Sequence, residues 1–295
     1  MPLTYPQTET NPNGDTVRTQ WFERARFEDH GSRGVLLGLL GRETLVTPIP
    51  GKPVHPIVDG DTGFLMGGVR AGAWLGPSMT SAHLRGGESY RLYTLAGATG
   101  QSSGGAPARQ TFDPCSWTTS IALTPPPAAG ALAVGGDWNA RPRASVDLGT
   151  QSEVYRTAIA DILHANGIAL PDVRLTRVLR IDLEGDGVDE VLISATRLLE
   201  GRGSPQVTAG DYSLVALRKV VDGQVRTIML AADYYREDSI FAAPDEYTIA
   251  NLLDLNGDGR VEIVVDLSYY EGLGTTVYEI IGDRAEVVLQ ESCGV

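Results

Sequence analysis

The sequence predicts a mainly β protein: two four-stranded repeats, arranged as a partial propeller or a sandwich, with one helix and a smaller β-rich N-terminal region before them. Three observations lead there. The 295 residues include 35 Gly and 17 Pro, enough turn-formers for many short strands. The second half breaks into β-branched apolar runs of strand length, separated by Gly, Asn and Asp. Finally, Val178–Gly201 realigns with Ala250–Gly272, with 72 residues from Asp182 to Asp254.

Residues 1–50 read as a first small unit. An aromatic and charged stretch, Trp21–Glu28, precedes a turn at Gly31–Gly34 and an apolar run, Val35–Gly41, which together suggest a strand, a turn and a short helix. Residues 51–125 form a β-rich region whose apolar segments, Phe64–Met66 and Tyr90–Leu95, are cut by Gly-Gly and Gly-Pro pairs. Gln101–Arg109, rich in Gly, Ser, Ala and Pro, reads as a mobile loop. Pro125-Pro126-Pro127 reads as a stiff linker and marks the main boundary. Residues 126–172 are linker and helix. Ser152 can cap that helix, Val154, Tyr155, Ala158, Ile159, Ile162 and Leu163 give it one apolar stripe, and Gly167 with Pro171 ends it. Residues 173–295 hold the repeats. The first set of strands is Val178–Ile181, Val191–Ala195, Tyr212–Val220 and Val225–Leu230. The second is Thr248–Leu253, Ile263–Leu267, Thr275–Ile280 and Glu286–Leu289.

Charge is unevenly distributed. The net value is −13, yet residues 1–179 balance 15 basic against 15 acidic side chains, leaving 9 against 22 in residues 180–295. Such a field repels nucleic acid and anionic membranes and attracts cations. No run approaches the roughly 18 apolar residues of a membrane span. The opening Met1–Tyr5 lacks the basic and then apolar pattern of a leader, so the protein is either cytoplasmic or a mature form or fragment with its leader removed, and the second is the reading preferred on other features of the chain.

The acidic residues have a pattern. Between the first two strands of each repeat lies the same loop: Asp182-Leu183-Glu184-Gly185-Asp186-Gly187-Val188-Asp189-Glu190, then Asp254-Leu255-Asn256-Gly257-Asp258-Gly259-Arg260-Val261-Glu262. Oxygen-bearing side chains fall at loop positions 1, 3, 5 and 9, and the carbonyls of Val188 and Arg260 at position 7 add another oxygen. Alternate side chains turned inward around a hard cation would give calcium six or seven oxygens with water completing the shell. An EF-hand is excluded. It needs a bidentate Glu at position 12 between helices, and here that position is Ile193 or Val265 in strand sequence. An ordinary Asx turn is the bland alternative for one such loop, but duplication in register argues against it. Glu184 is longer than the Asp or Asn usual at position 3, so the second loop is expected to bind more tightly.

These positions resemble the FG-GAP/VCBS class of calcium-loop repeats, found in β-propellers of integrin type and in secreted bacterial proteins. The resemblance spans about residues 173–295 and implies calcium as the ligand. It departs from the class in showing two repeats where a closed propeller has about four to eight blades. Val178–Ala195 with Gly210–Val220, and a Cys-Gly near the C-terminus, resemble a bacterial group that carries this domain. Gln20–Glu28 with Val35–Glu43 resembles a segment found beside LGFP-like modules of secreted cell-wall proteins, which implies an exported, envelope-associated protein. Calcium affinities of about 10⁻⁴–10⁻³ M suit that location. Cys115 and Cys293, with neither CxxC nor zinc spacing, are then expected to pair as a disulfide, two free thiols being the alternative.

Other candidates carry less. His30, His55, His83 and His164 are scattered without metal-ligand spacing, and Gly67-Gly68 and Gly135-Gly136 are isolated turns. Trp138 could stack on a sugar or serve as an aromatic lid on a sheet edge. Tyr234-Tyr235 and Tyr269-Tyr270, late in each repeat, could offer one exposed ring apiece to a ligand. The combined expectation is a secreted or envelope-attached, calcium-binding, non-enzymatic module that recognises a cell-wall polymer or an extracellular protein. The alternatives are a hydrolase on glycan or peptide, using carboxylates outside the loops, and a purely structural module.

Overall fold

The computed structural model describes residues 7–10, 16–22, 25–29, 35–37, 52–111 and 114–294. They fall into two compact units, Met1–Lys52 and Pro53–Val295.

In the first unit β1 (Gln7–Thr10), β2 (Thr16–Phe22), β3 (Ala25–Asp29) and β4 (Val35–Leu37) form an antiparallel sheet in sequence order. Along β2, buried Val17 and Thr19 alternate with exposed Thr16 and Arg18, the period of a sheet covered on one face. Val35–Leu37 is therefore strand where the sequence suggests the start of a helix. The Gly31–Gly34 turn and residues 38–50 lie outside the described residues.

The second unit opens with a seven-stranded antiparallel sheet. Its strands are β5 (His55–Asp59), β6 (Leu65–Arg70), β7 (Ala73–Leu75), β8 (Ser89–Thr94), β9 (Gly97–Gly104), β12 (Leu123–Thr124) and β13 (Leu132–Val134), in the order β12-β9-β8-β13-β5-β6-β7. A helical turn, α1 (Pro77–Ser81), follows β7, and β10 (Ala108–Arg109) pairs separately with β11 (Thr119–Ser120). The boundary expected at Pro125–Pro127 is not where the chain divides, because β13 returns past the prolines and inserts between β8 and β5. Nor is Gln101–Arg109 one loop. Its first residues complete β9, where Ser102 is buried and its hydroxyl donates to the Pro125 carbonyl at 2.6 Å.

Next come β14 (Val146–Asp147), α2 (Glu153–Ala165), β15 (Leu175–Ile181), β16 (Glu190–Arg197), β17 (Tyr212–Val221) and β18 (Gln224–Tyr234). The five strands form one antiparallel sheet in chain order. The last sheet is β19 (Glu246–Leu253), β20 (Glu262–Tyr269), β21 (Gly272–Ile281) and β22 (Arg284–Gly294), also in chain order. All eight strands of the two repeats are present, each repeat as one up-and-down meander.

Period-two alternation decides the stacking. From the first repeat, Leu179, Ile181, Leu192, Val215 and Leu217 meet Ile249, Leu252, Ile263, Val265 and Tyr278 of the second. The second sheet's other face, with Leu253, Val264, Val277 and Leu289, meets Ile57, Met66, Tyr93, Leu132 and Val134 of the seven-stranded sheet. The second repeat is thus buried on both faces, as the middle of three stacked sheets. On the outer face of the first repeat, α2 lays Ile159 and Leu163 over Val178, Ile193, Tyr212 and Leu214. Val154, expected in that stripe, is exposed in the first turn, and Ser152 stands at the cap position without a side-chain bond. No helix among the described residues is long and apolar enough to cross a membrane.

Candidate cation site in the repeat loops

The two loops have the same internal wiring. In the first, the Asp182 carboxylate accepts the amides of Gly185, Asp186 and Gly187 at 2.6, 3.2 and 3.0 Å. In the second, Asp254 accepts those of Gly257, Asp258 and Gly259 at 2.7, 3.2 and 3.0 Å. Position 5 caps the next turn in both, Asp186 taking the Val188 amide and Asp258 the Arg260 amide, each at 2.8 Å. Position 9 reaches back to position 2, Glu190 to the Leu183 amide at 2.8 Å and Glu262 to the Leu255 amide at 2.6 Å. At positions 4 and 6 the glycines hold φ between +77° and +86°, a region that side chains with a Cβ resist.

The surroundings differ. Asp254 and Asn256 of loop two are buried where Asp182 and Glu184 of loop one are half-buried, while the position-9 glutamate is buried and the position-5 aspartate, Asp186 or Asp258, exposed in both. Asn256 accepts the Asp258 amide at 2.9 Å and donates to the Asp258 carboxylate at 3.3 Å. Glu262 is 1% exposed, and among the described residues its Oε1 has no hydrogen-bond partner. Burial first, then the charges of Asp258, Asp254 and Glu279, push its carboxyl up to about 9 against the opposing pull of the Leu255 amide. Burial likewise raises Asp254. In loop one burial raises Glu190, but Asp182 lies below its ordinary value because the loop amides and Arg143 outweigh its own burial.

Glu184, expected as an ion ligand, instead binds two protein cations: Oε2 pairs with the Lys219 ammonium and Oε1 with the Arg260 guanidinium. Its extra methylene lets it reach across to β17 and to the other loop. Arg260 therefore ties the loops together through its side chain, while its carbonyl was the atom expected to bind an ion. Among the described residues no three His, Cys, Asp or Glu side chains converge as a ready-made metal cluster. The oxygens of loop two are of mixed kind, carboxylate, amide and main-chain carbonyl, and the second carboxylate oxygen of Glu262 is the one left unbonded.

One segment straps both loops. The Ala140 carbonyl accepts the Asp254 amide at 2.8 Å, and Trp138 Nε1 donates to the Asp254 carbonyl at 2.7 Å. Arg143 donates to the carbonyls of Asp182, Leu183 and Gly259 at 2.5, 3.0 and 2.6 Å. The loops also bond directly, Val261 N–H to Leu183 C=O at 2.9 Å. Trp138 is thus a half-buried lid with its ring edge-on to His55 and close against Gly257, not a free platform for a sugar. Trp138→Phe, which removes the indole donor together with part of the ring packed against Gly257, is expected to cost about 2 kcal/mol or more. A urea midpoint equal to that of the parent chain would count against the strap.

The remaining candidates separate by environment. Tyr234 packs beside the α2 cluster with its hydroxyl buried and unbonded. Tyr235 is half-buried, and burial with the charges of Asp233 and Asp245 raises its phenol. The Tyr269 ring lies over the backbone of Gly272 and Gly294. Tyr270 stands edge-on to Tyr269 at 6.1 Å and to Phe241 at 6.2 Å. Phe241 is 70% exposed and Ile240 83%, so sequence reading missed the larger part of this apolar group. Outside the loops, Asp233 and Asp245 both face the Tyr247 hydroxyl, at 3.0 and 3.2 Å, and burial raises both. Among the described residues the histidines do not gather: His55 contacts the Gly135 carbonyl at 3.3 Å, and His83 and His164 are exposed; His30 lies outside the described residues. A disulfide joins Cys115 to Cys293, with Cα atoms 5.3 Å apart.

Comparison of the chain with protein-family models, with curated proteins and with solved structures returns no match.

Proposed function

We propose that the chain is a calcium-stabilised, non-enzymatic binding module of the secreted or envelope-attached kind, with the ion held in the loop Asp254–Glu262. The carrying observation is the buried Glu262 carboxylate, with one oxygen unbonded beside Asp254 and Asp258. A buried carboxylate without a partner is costly, and a hard divalent cation supplies both the missing charge and the missing bond. Asp254, Asn256, Asp258, the Arg260 carbonyl and Glu262 would hold it. The disulfide supports an oxidising compartment, where calcium is also abundant.

The recognition surface in this reading is the group Ile240, Phe241 and Tyr270, apolar and aromatic on an otherwise acidic module. Its partner is a cell-wall polymer or an extracellular protein. The test is retention on purified bacterial cell wall with and without chelator. Retention that needs calcium and falls in Phe241→Ala supports the reading. Release of cleaved fragments would favour the hydrolase alternative, for which Asp233 and Asp245 around Tyr247 are the carboxyl pair outside the loops. That activity would vanish in Asp233→Asn and survive Asp258→Ala.

A further inference from the structure

We infer that the first loop binds no ion because the protein supplies its cation from within: the Lys219 ammonium occupies the electrostatic role that calcium fills in the second loop. This rests on the calcium reading of loop two and fixes the number of ions at one for each chain.

The loops share their amide wiring, and in both the position-9 glutamate is 1% exposed at the start of a strand. What differs is the residue opposite. Val191 pairs with Arg218 across β16 and β17, so Glu190 faces the next residue, Lys219. Ile263 pairs with Tyr278 across β20 and β21, so Glu262 faces Glu279 by the same step. One site places an ammonium against its glutamate and the other a second carboxylate. Opposite charges across a strand pair stabilise it and like charges oppose it.

The rest of each site follows from that reversal. Lys219 is itself buried, at 7% exposure, and a buried ammonium requires a carboxylate partner. It has Glu184, the side chain at position 3, whose other oxygen takes Arg260. Loop one is therefore closed by protein cations at the position where a ligand oxygen would be needed. Among the described residues loop two has no such cation: Glu279 is bonded to the Trp74 indole at 3.3 Å, and Glu262 Oε1 is left without a partner. The duplicated loop is kept for its shape in the first repeat and for its ion in the second.

Calorimetric calcium titration of the full chain and three variants tests this. The expected stoichiometry is one. Asp258→Ala should weaken that site at least about tenfold, while Asp186→Ala leaves stoichiometry and Kd unchanged. Lys219→Gln removes the internal cation and should bring the stoichiometry to two. Two ions on the parent chain, or one ion lost with Asp186→Ala and kept with Asp258→Ala, would overturn the inference and leave calcium binding itself standing. No ion on the parent chain would instead overturn the calcium reading on which it rests. The Asp186 and Asp258 pair decides the matter even if Lys219→Gln fails to fold.

Discussion

Glu262→Gln is expected to raise the melting temperature of the calcium-free protein at about pH 8 and to abolish the stabilisation by calcium proposed for the parent chain. The glutamate carboxyl ordinarily titrates at 4.5 and is pushed up to about 9 in the fold, first by burial and then by neighbouring carboxylates. A carboxyl whose folded value is raised favours folding fully below its unfolded value, and that contribution is lost as pH climbs toward the folded one. Between about pH 4.5 and 9, then, the calcium-free fold either takes up a proton or buries a charge, at a cost on the order of several kcal/mol by the upper end. Glutamine keeps the acceptor for the Leu255 amide and carries no charge at any pH. The gain at about pH 8 is on the order of 5 °C or more. With calcium at about a hundred times Kd the parent chain gains about 2.7 kcal/mol and the variant none. A variant that melts below the parent in chelator would remove the electrostatic basis of the site.

Opening the disulfide should have an effect of similar size. Cys115 and Cys293 close a loop of 178 residues, for which chain entropy gives about 5 kcal/mol and removal of native bridges typically costs about 2–5. Cys115 is fully buried, and nearby Trp117 donates its indole N–H to the Ser292 carbonyl at 3.3 Å, so the covalent link holds the segment after β10 against the end of β22. The Cys115→Ser/Cys293→Ser variant is expected to melt roughly 5–15 °C lower. Equal midpoints for parent and double variant, both confirmed in their redox states by mass, would show that the bridge adds nothing to the fold.

What the sequence made legible is local. Strand alternation from Val178 to Leu289, the 72-residue repeat and the helix after Ser152 follow from side-chain period and turn residues, and all appear in the structure. The loops could be placed for the same reason, since nine consecutive residues carry their wiring. What escaped is what depends on distant partners. Proline composition suggested a boundary at 125–127, but the pairing of β13 with strands on the far side of it carries one unit through. Glu184 read as a ligand because its position in the loop is local information, while its partners Lys219 and Arg260 lie 35 and 76 residues away. For Trp138 the lid was one of two readings open to the sequence, and what local sequence does not give is its partner, the Asp254 carbonyl, 116 residues further on. A signal for Lys219 was available: aligning the repeats beyond the loops sets a lysine against a glutamate.

The position of the second repeat also sets an order of events during synthesis. Residues 246–294 form the middle layer, yet they leave the ribosome after both sheets they separate. Until they arrive, the inward faces of the two outer sheets have no partner, and each is an apolar surface open to wrong contacts. The inner layer, one half of the disulfide and the whole of loop two come in together, so packing and oxidation fall into a single late step. Pulsed hydrogen exchange during refolding should accordingly show β15–β18 gaining protection at the same time as β19–β22, not before. A nascent chain of this design would depend on being held extended until its last sheet has emerged.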